Sequence, residues 1–354
     1  MSAGNAGQQQ AGDTSEVEFD PFAGPAIQEA FASTEPQREI WTATRIGEDA
    51  SLAFNESISL RLTGPLDRRA LIEAIRGLVE RHEALRSSFS EDGTSVLVHE
   101  TPEIDLAIHE FGGLDREVAQ KELAEILHRA VTEPFDLASP SLTRFELVAL
   151  GPEQNILVMT AHHIVCDGWS FGVIAGDLAA LYSAYRNGRV PELPPADRFS
   201  DYARTLYTDD SPELAAAEKY WLKQFETSIP ILDLPADRTR PARKTYSADR
   251  EDYVLSAELL RRVRDTGKKK GASLFATLLA GFGTLLHRLS GQDDIIVGIP
   301  VAGQASTGFP GLVGHCVNML PLRLHPTPDL KFSEMLGKAR TTMLDALDNQ
   351  QMTL

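Results

Sequence analysis

Apolar residues along this 354-residue chain change period several times, and each change predicts an element. From Ile58 to Leu62 they alternate with polar residues, the period of a strand with one buried face. Leu71, Ile75, Leu78 and Val79 then recur at helical spacing, and Asp67 is placed to cap that helix. Asp92-Gly93 is a hairpin-type turn ahead of a strand from Val96 to His99. A helix from about Arg116 to Val131 carries Val118, Leu123, Ile126, Leu127 and Ala130, and Pro134-Phe135-Asp136 ends it. A strand from Phe145 to Leu150 leads through Gly151-Pro152-Glu153-Gln154 into Ile156-Leu157-Val158-Met159, which reads as a buried strand. Phe171, Ile174, Leu178, Leu181, Tyr182 and Tyr185 return to helical spacing.

Pro191, Pro194 and Pro195 then mark a crossing between two lobes. Helices are predicted near Glu213 to Phe225, Ala257 to Lys268, Ser273 to Leu289 and Glu334 to Leu347, with a strand from Asp294 to Gly298. Pro230, Pro235, Arg238, Arg240 and Pro241 make an irregular connection, and the second lobe's regular elements start near Tyr253. Residues 1–20 are rich in Gly, Ala, Gln and Ser and read as a disordered linker. The expected organisation is that linker, an N-terminal lobe over 21–195 and a second lobe over 196–354.

The chain is of ordinary globular composition. Its net charge of -17 argues against a nucleic-acid or anionic-membrane partner. Lys268-Lys269-Lys270 is a short basic run on a helix, best read as a solvated face. Two cysteines, Cys166 and Cys316, make no disulfide framework, which fits a reducing cytoplasm. No apolar run is long enough to span a membrane, and no signal-peptide core opens the chain. No adenylation motif, P-loop, dinucleotide fingerprint, internal repeat or phosphopantetheine-attachment serine is evident.

Candidate chemistry gathers where the buried strand meets the helix, in His162-His163-Ile164-Val165-Cys166-Asp167-Gly168-Trp169-Ser170. Side chains alternate across a strand, so two extended neighbouring histidines face apart: one serves the structure and the other enters a cavity. A neutral imidazole accepts a proton from an amine or hydroxyl near pH 7. Asp167 is placed to fix the loop through a cation or backbone N–H groups. Gly168 permits a positive φ or a close approach of backbone. A metal site on His162, His163 and Cys166 is the competing chemistry. Against it, neighbouring histidines face apart and no compact second ligand pair follows.

The stretch resembles the His-His-x-x-x-Asp-Gly signature of condensation domains of nonribosomal peptide synthetases, whose superfamily includes chloramphenicol acetyltransferase. Further matches spread over about residues 30–354. Gln37, Ile40 and Trp41 fit a first motif in which Glu39 stands where an Arg is usual. Arg81-His82-Glu83-Ala84-Leu85-Arg86-Ser87-Ser88-Phe89 fits a second, which the residues themselves read as a helix end with a structural role. Phe199-Ser200-Asp201-Tyr202-Ala203 fits a fourth. Gly311 to Arg323, with Asn318, fits a fifth, and Asn349-Gln350-Gln351 only weakly meets a sixth. Ile299-Pro300-Val301-Ala302-Gly303-Gln304 has Gln304 where an Arg is usual, so Asp167 is expected to find another partner, Arg323 included, or to rely on hydrogen bonds alone.

The resemblance implies an α/β protein of chloramphenicol acetyltransferase type, two α+β lobes each with a mixed sheet and helices. It implies amide bond formation between an acyl or peptidyl thioester and the amine of an aminoacyl thioester, both on 4′-phosphopantetheine arms. No cofactor is bound directly. The implied partners are upstream and downstream peptidyl or acyl carrier proteins and neighbouring synthetase domains. His163 is implied as catalytic, His162 as structural, Asp167 as an ion-pair former and Gly168 as a backbone element, with Asn318, Trp169 and Ser170 lining the substrate. Rival readings are epimerisation of a carrier-bound aminoacyl group and, with Glu39 and Gln304 in its favour, a non-catalytic recruitment module. Heterocyclisation is disfavoured because that branch has Asp in place of His162. Family members continue further, so the second lobe is expected to lack later strands, to be inactive alone and to self-associate through exposed apolar surface.

Overall fold

The computed structural model describes residues 26–100, 104–208, 211–246 and 248–352; the expected linker over 1–20 lies outside them. The chain opens with β1 (Ile27–Ala32), α1 (Glu35–Thr44), a short α2 (Glu48–Leu52), β2 (Asn55–Thr63) and α3 (Arg68–Arg81). A 3₁₀ turn, Glu83–Arg86, leads to β3 (Ser87–Phe89), β4 (Ser95–His99), β5 (Asp105–Glu110), α4 (Arg116–Thr132), β6 (Thr143–Gly151), β7 (Gln154–His162) and α5 (Gly168–Arg186). Asp67 caps α3 by accepting from the Ala70 N–H.

β2, β7, β6 and β5 form a sheet in that order. The tight turn after Gly151 makes β6 and β7 an antiparallel hairpin with Phe145 opposite Met159. β5 lies parallel to β6, and α4 supplies the crossover that a parallel pair needs. Alternation divides the sheet's faces. Leu157, Met159 and Ala161 of β7 join Ile58, Leu60 and Leu62 of β2 in the main core with α3 and α5. The opposite face is covered by α4, through Ile126 and Ala130. A second sheet, β1-β4-β3, is antiparallel throughout.

The second half carries α6 (Phe199–Thr208), α7 (Pro212–Gln224), α8 (Ala257–Lys268), α9 (Leu274–Ser290), β8 (Ile295–Ala302), α10 (Gly303–Ser306), β9 (Val317–Leu324) and α11 (Phe332–Asp348). Among the described residues its sheet is the antiparallel pair β8–β9. Leu320, Leu322 and Leu324 of β9 meet Leu279 and Ala280 of α9 and Met335, Leu336, Ala339 and Met343 of α11 in a separate core. The other side of α9 is open. Phe275, Leu278, Phe282, Leu285 and Leu289 are each 44–51% exposed, and the first four line a cavity of about 780 Å³ with Leu259 and Val263 of α8.

The halves meet through the segment between β8 and β9. Phe31 of β1 packs there against Phe199, Tyr202 and Ala203 of α6, which in turn pack on Leu312 and Cys316. Gly314 is required there: a Cβ on it would come within 2.1 Å of the Phe199 ring.

Candidate active site

β7 delivers its last residue, His162, into the interior. The ring is fully buried between Phe54 and Phe135, each 6.1 Å away between centroids. Its Nδ1 accepts the Ile164 N–H at 3.2 Å, so the neutral ring carries its proton on Nε2, which is buried without a partner. Burial above all, with His163 and His315 nearby, pushes its pKa down to about 3. A ring held neutral in this way fills space and anchors the loop.

His163 is the other kind of histidine. Its backbone N–H donates to the Phe54 carbonyl at 2.7 Å, prolonging the β2–β7 pairing by one residue. Its side chain is 24% exposed. Nδ1 lies 2.7 Å from the Cys166 carbonyl oxygen, which only accepts, so Nδ1 carries the proton. The lone pair of the neutral ring therefore sits on Nε2, the nitrogen left to take a proton. Two groups face this ring. Glu56 of β2 places Oε1 3.4 Å from Nε2, and the buried His315 ring stands edge-on at 4.8 Å between centroids. Burial also pushes His315 down to about 3, the neighbouring His163 adding to the effect.

The loop that presents His163 is held by Asp167, which is wholly buried. As N-cap of α5 it accepts the Ser170 N–H at 2.8 Å and the Ser170 hydroxyl at 2.7 Å on Oδ1. Its Oδ2 accepts Gln304 Nε2 at 2.8 Å and the Cys316 N–H at 3.0 Å from the other half of the molecule. The expected ion pair is thus replaced by four hydrogen bonds to neutral donors. Gln304 occupies the expected place and donates an amide proton in lieu of a charge. Arg323 does not supply a cation here, because Asp294 binds it at 2.9 and 2.5 Å. Gln37 completes the frame, donating from Nε2 to the Ile164 carbonyl at 3.1 Å, while Glu39 is exposed to solvent.

Other expected site residues fall in different places. Ser170, expected to line the substrate, is fully buried, and its hydroxyl is used by Asp167 and by the Gly314 carbonyl and N–H. Trp169 is 42% exposed and donates from Nε1 to the Pro310 carbonyl at 3.0 Å, across the same junction. Gly168 has neither a positive φ nor a close neighbour; a Cβ on it would meet nothing within 4 Å. The backbone explanation for Gly168 is therefore replaced by open space in front of the first turn of α5. Asn318 lines a cavity of about 400 Å³ with Tyr202, Gly303, Cys316 and Gln350, but its amide donates to the Gln350 and Met352 carbonyls, both at 2.8 Å.

Neither cysteine is poised as a nucleophile, since burial and the Asp167 charge push both thiols well up. No cluster of three metal-ligating side chains forms among the described residues. The second motif is a structural joint. His82 and Arg81 bind Asp177 of α5 at 2.9 and 2.7 Å, and Glu83 accepts from Arg198 Nε and the Ser200 N–H beside α6.

Two lobes joined across a histidine-bearing loop are the architecture of the chloramphenicol acetyltransferase-like proteins. Solved structures superpose accordingly. The first condensation domain of the calcium-dependent antibiotic synthetase, 22% identical, has a TM-score of 0.75 over 92% of this chain and 76% of that one. The X-domain from teicoplanin biosynthesis, solved in complex with OxyB, is 26% identical with a TM-score of 0.78, covering 93% of this chain and 73% of that one. Residues 27–354 match the condensation domain family, and the chain belongs to it. Its relatives are nonribosomal peptide synthetases. Surfactin synthase subunit 2 of Bacillus subtilis (strain 168) is 32% identical over 342 residues, 96% of this chain and 9% of that protein. The dimodular nonribosomal peptide synthase of the same organism is 34% identical over 354 residues, 97% of this chain and 15% of that protein. The chain thus spans a small part of the length of these relatives.

Proposed function

We propose that this condensation domain joins two carrier-bound thioesters by an amide bond. The amine nitrogen of the acceptor attacks the carbonyl carbon of the donor acyl or peptidyl thioester. The C–S bond breaks, and the donor's phosphopantetheine thiol leaves. His163 takes the amine proton on Nε2 and returns it to the departing sulfur, so no proton is gained or lost overall. A thioester is already activated, so alignment of the two arms supplies most of the rate. The observation that carries this reading is the locked tautomer: Nδ1–H on the Cys166 carbonyl leaves Nε2 as the acceptor.

The other residues support His163. His162 anchors the loop, Asp167 fixes it to the second lobe, and Gly168 leaves room for substrate. Asn318 and Trp169 stand at the lobe junction, where they are suited to contact the arms or their cargo. Peptidyl or acyl carrier proteins and neighbouring synthetase domains are the partners this reaction requires. The likeness to an X-domain solved with OxyB favours a second reading, recruitment of a partner enzyme without chemistry. The protein is tested with an acyl-loaded and an aminoacyl-loaded carrier, followed by intact mass and chiral analysis of the released product. Dipeptidyl thioester on the acceptor carrier supports condensation. Inversion of one loaded aminoacyl group without amide formation would instead assign epimerisation, and no turnover with retained carrier binding would assign recruitment.

A further inference from the structure

Glu56 is an acid on the inward face of a strand. Paired opposite Ala161, it continues the series Ile58, Leu60, Leu62 that points into the core. Among the described residues no hydrogen bond holds it; its neighbour is His163 Nε2, 3.4 Å away. The ring's other nitrogen is committed to the Cys166 carbonyl. A carboxylate oxygen and an imidazole lone pair at that distance repel, and a proton between them turns the contact into a bond. Resting on the assignment of His163 as proton acceptor, we propose that Glu56 is a positioning residue, whose carboxylate binds the imidazolium formed at His163 and holds Nε2 in place until the proton passes to the leaving sulfur.

The surroundings leave this role to Glu56. His315 approaches from the segment before β9 and is kept neutral by burial, as His162 is on the sheet's far side. The Cys166 thiol is held protonated. Asp167 is negative, but its oxygens are engaged by Ser170, Gln304 and Cys316. Burial raises the Glu56 carboxyl, the His163 charge opposes that rise, and the Asp167 charge adds to it. A carboxyl raised on folding favours the folded state below its unfolded pKa and loses that contribution as pH rises through the folded one. Ionising Glu56 thus works against folding, which a purely structural acid would not do.

Two measurements test the proposal. The first needs no substrate: the ¹⁵N shifts of the His163 ring are followed against pH in the parent and in Glu56→Gln, with His163→Gln to assign them. Loss of the carboxylate is expected to lower the midpoint of the ring's titration by roughly 0.5–1 pH unit, with Glu56→Asp in between. The second is the pH profile of amide formation. Glu56→Gln is expected to lower kcat roughly ten-fold with KM little changed, to move the acid limb to lower pH and to leave the melting temperature equal or higher. An unmoved ring titration in a folded Glu56→Gln protein overturns the proposal, as does an unchanged kcat or a lowered melting temperature with the titration in place. If the parent makes no amide, the functional reading fails, while the ring titration still decides whether Glu56 pairs with His163.

Discussion

Replacing Asp167 with Ala removes a buried side chain that fastens the histidine loop to both halves of the molecule. Three buried donors lose their acceptor: the Ser170 N–H, the Cys316 N–H and Gln304 Nε2. The Ser170 hydroxyl keeps its bonds with Gly314. Each orphaned donor costs about 1–3 kcal/mol, and water entering the vacated space recovers part of that. The Ser170 N–H is also the N-cap bond of α5, so that loss is already in the count. The total is roughly 3–5 kcal/mol, or a fall in melting temperature of roughly 4–7 °C for a chain of this size. Asp167→Asn should cost less. Oδ1 of the new Asn keeps the two Ser170 donors, and Oε1 of Gln304 is a buried oxygen without a partner. Turning the Gln304 amide over offers this oxygen to the new amide; the Cys316 N–H loses its acceptor and the turned Gln304 Nε2 takes the unpartnered place of Oε1, so about 1–3 kcal/mol is expected. Thermal unfolding followed by circular dichroism measures both. An Asp167→Ala protein that melts within a degree of the parent yet has lost all turnover would refute a structural role for Asp167.

Gly168→Ala is expected to leave the melting temperature unchanged, since its Cβ meets nothing within 4 Å, and to lower turnover by obstructing the substrate; unchanged kinetics would show that this space is not used. His162 has its pKa depressed by burial, so its contribution to stability is complete above the unfolded value of about 6.5 and is lost as pH falls toward the folded value of about 3. Melting temperature should therefore drop between pH 7 and pH 5, and His162→Asn, tolerated or not at pH 7, should flatten that slope; an equal slope would assign the acid sensitivity to other groups. The open side of α9 should drive self-association, and Phe282→Glu with Leu285→Lys should lower light scattering without lowering the melting temperature; undiminished scattering would place the contact elsewhere.

The helices with one clear apolar face, and the hairpin leading to His162, were legible because their periodicity is local. β1, β3 and β5 were missed: they are short, and pairing with other strands, distant ones for β1 and β5, makes them strands more than their own pattern does. β9 was hidden inside a motif, although Leu320, Leu322 and Leu324 alternate as a half-buried strand does. The histidine loop was legible as a resemblance, and its chemistry was legible as a division between a buried ring and a partly exposed one. The partners of Asp167 were not, because two of its four donors come from Gln304 and Cys316, far along the chain. Glu56 did leave a signal. Extending the Ile58–Leu60–Leu62 alternation back by one period puts an acid on an apolar face. His315 lay within a matched motif, but nothing local shows that its ring meets that of His163.

The central claim is that Nε2 of His163 moves the proton during amide formation. It is tested most directly by comparing the parent with His163→Ala in single-turnover formation of dipeptidyl thioester from two loaded carriers, with circular dichroism to confirm the fold. The account predicts a loss of about 10²–10⁴-fold, the range for a positioned acid–base group, with the fold intact. A folded His163→Ala protein that forms the amide at the parent's rate would contradict it.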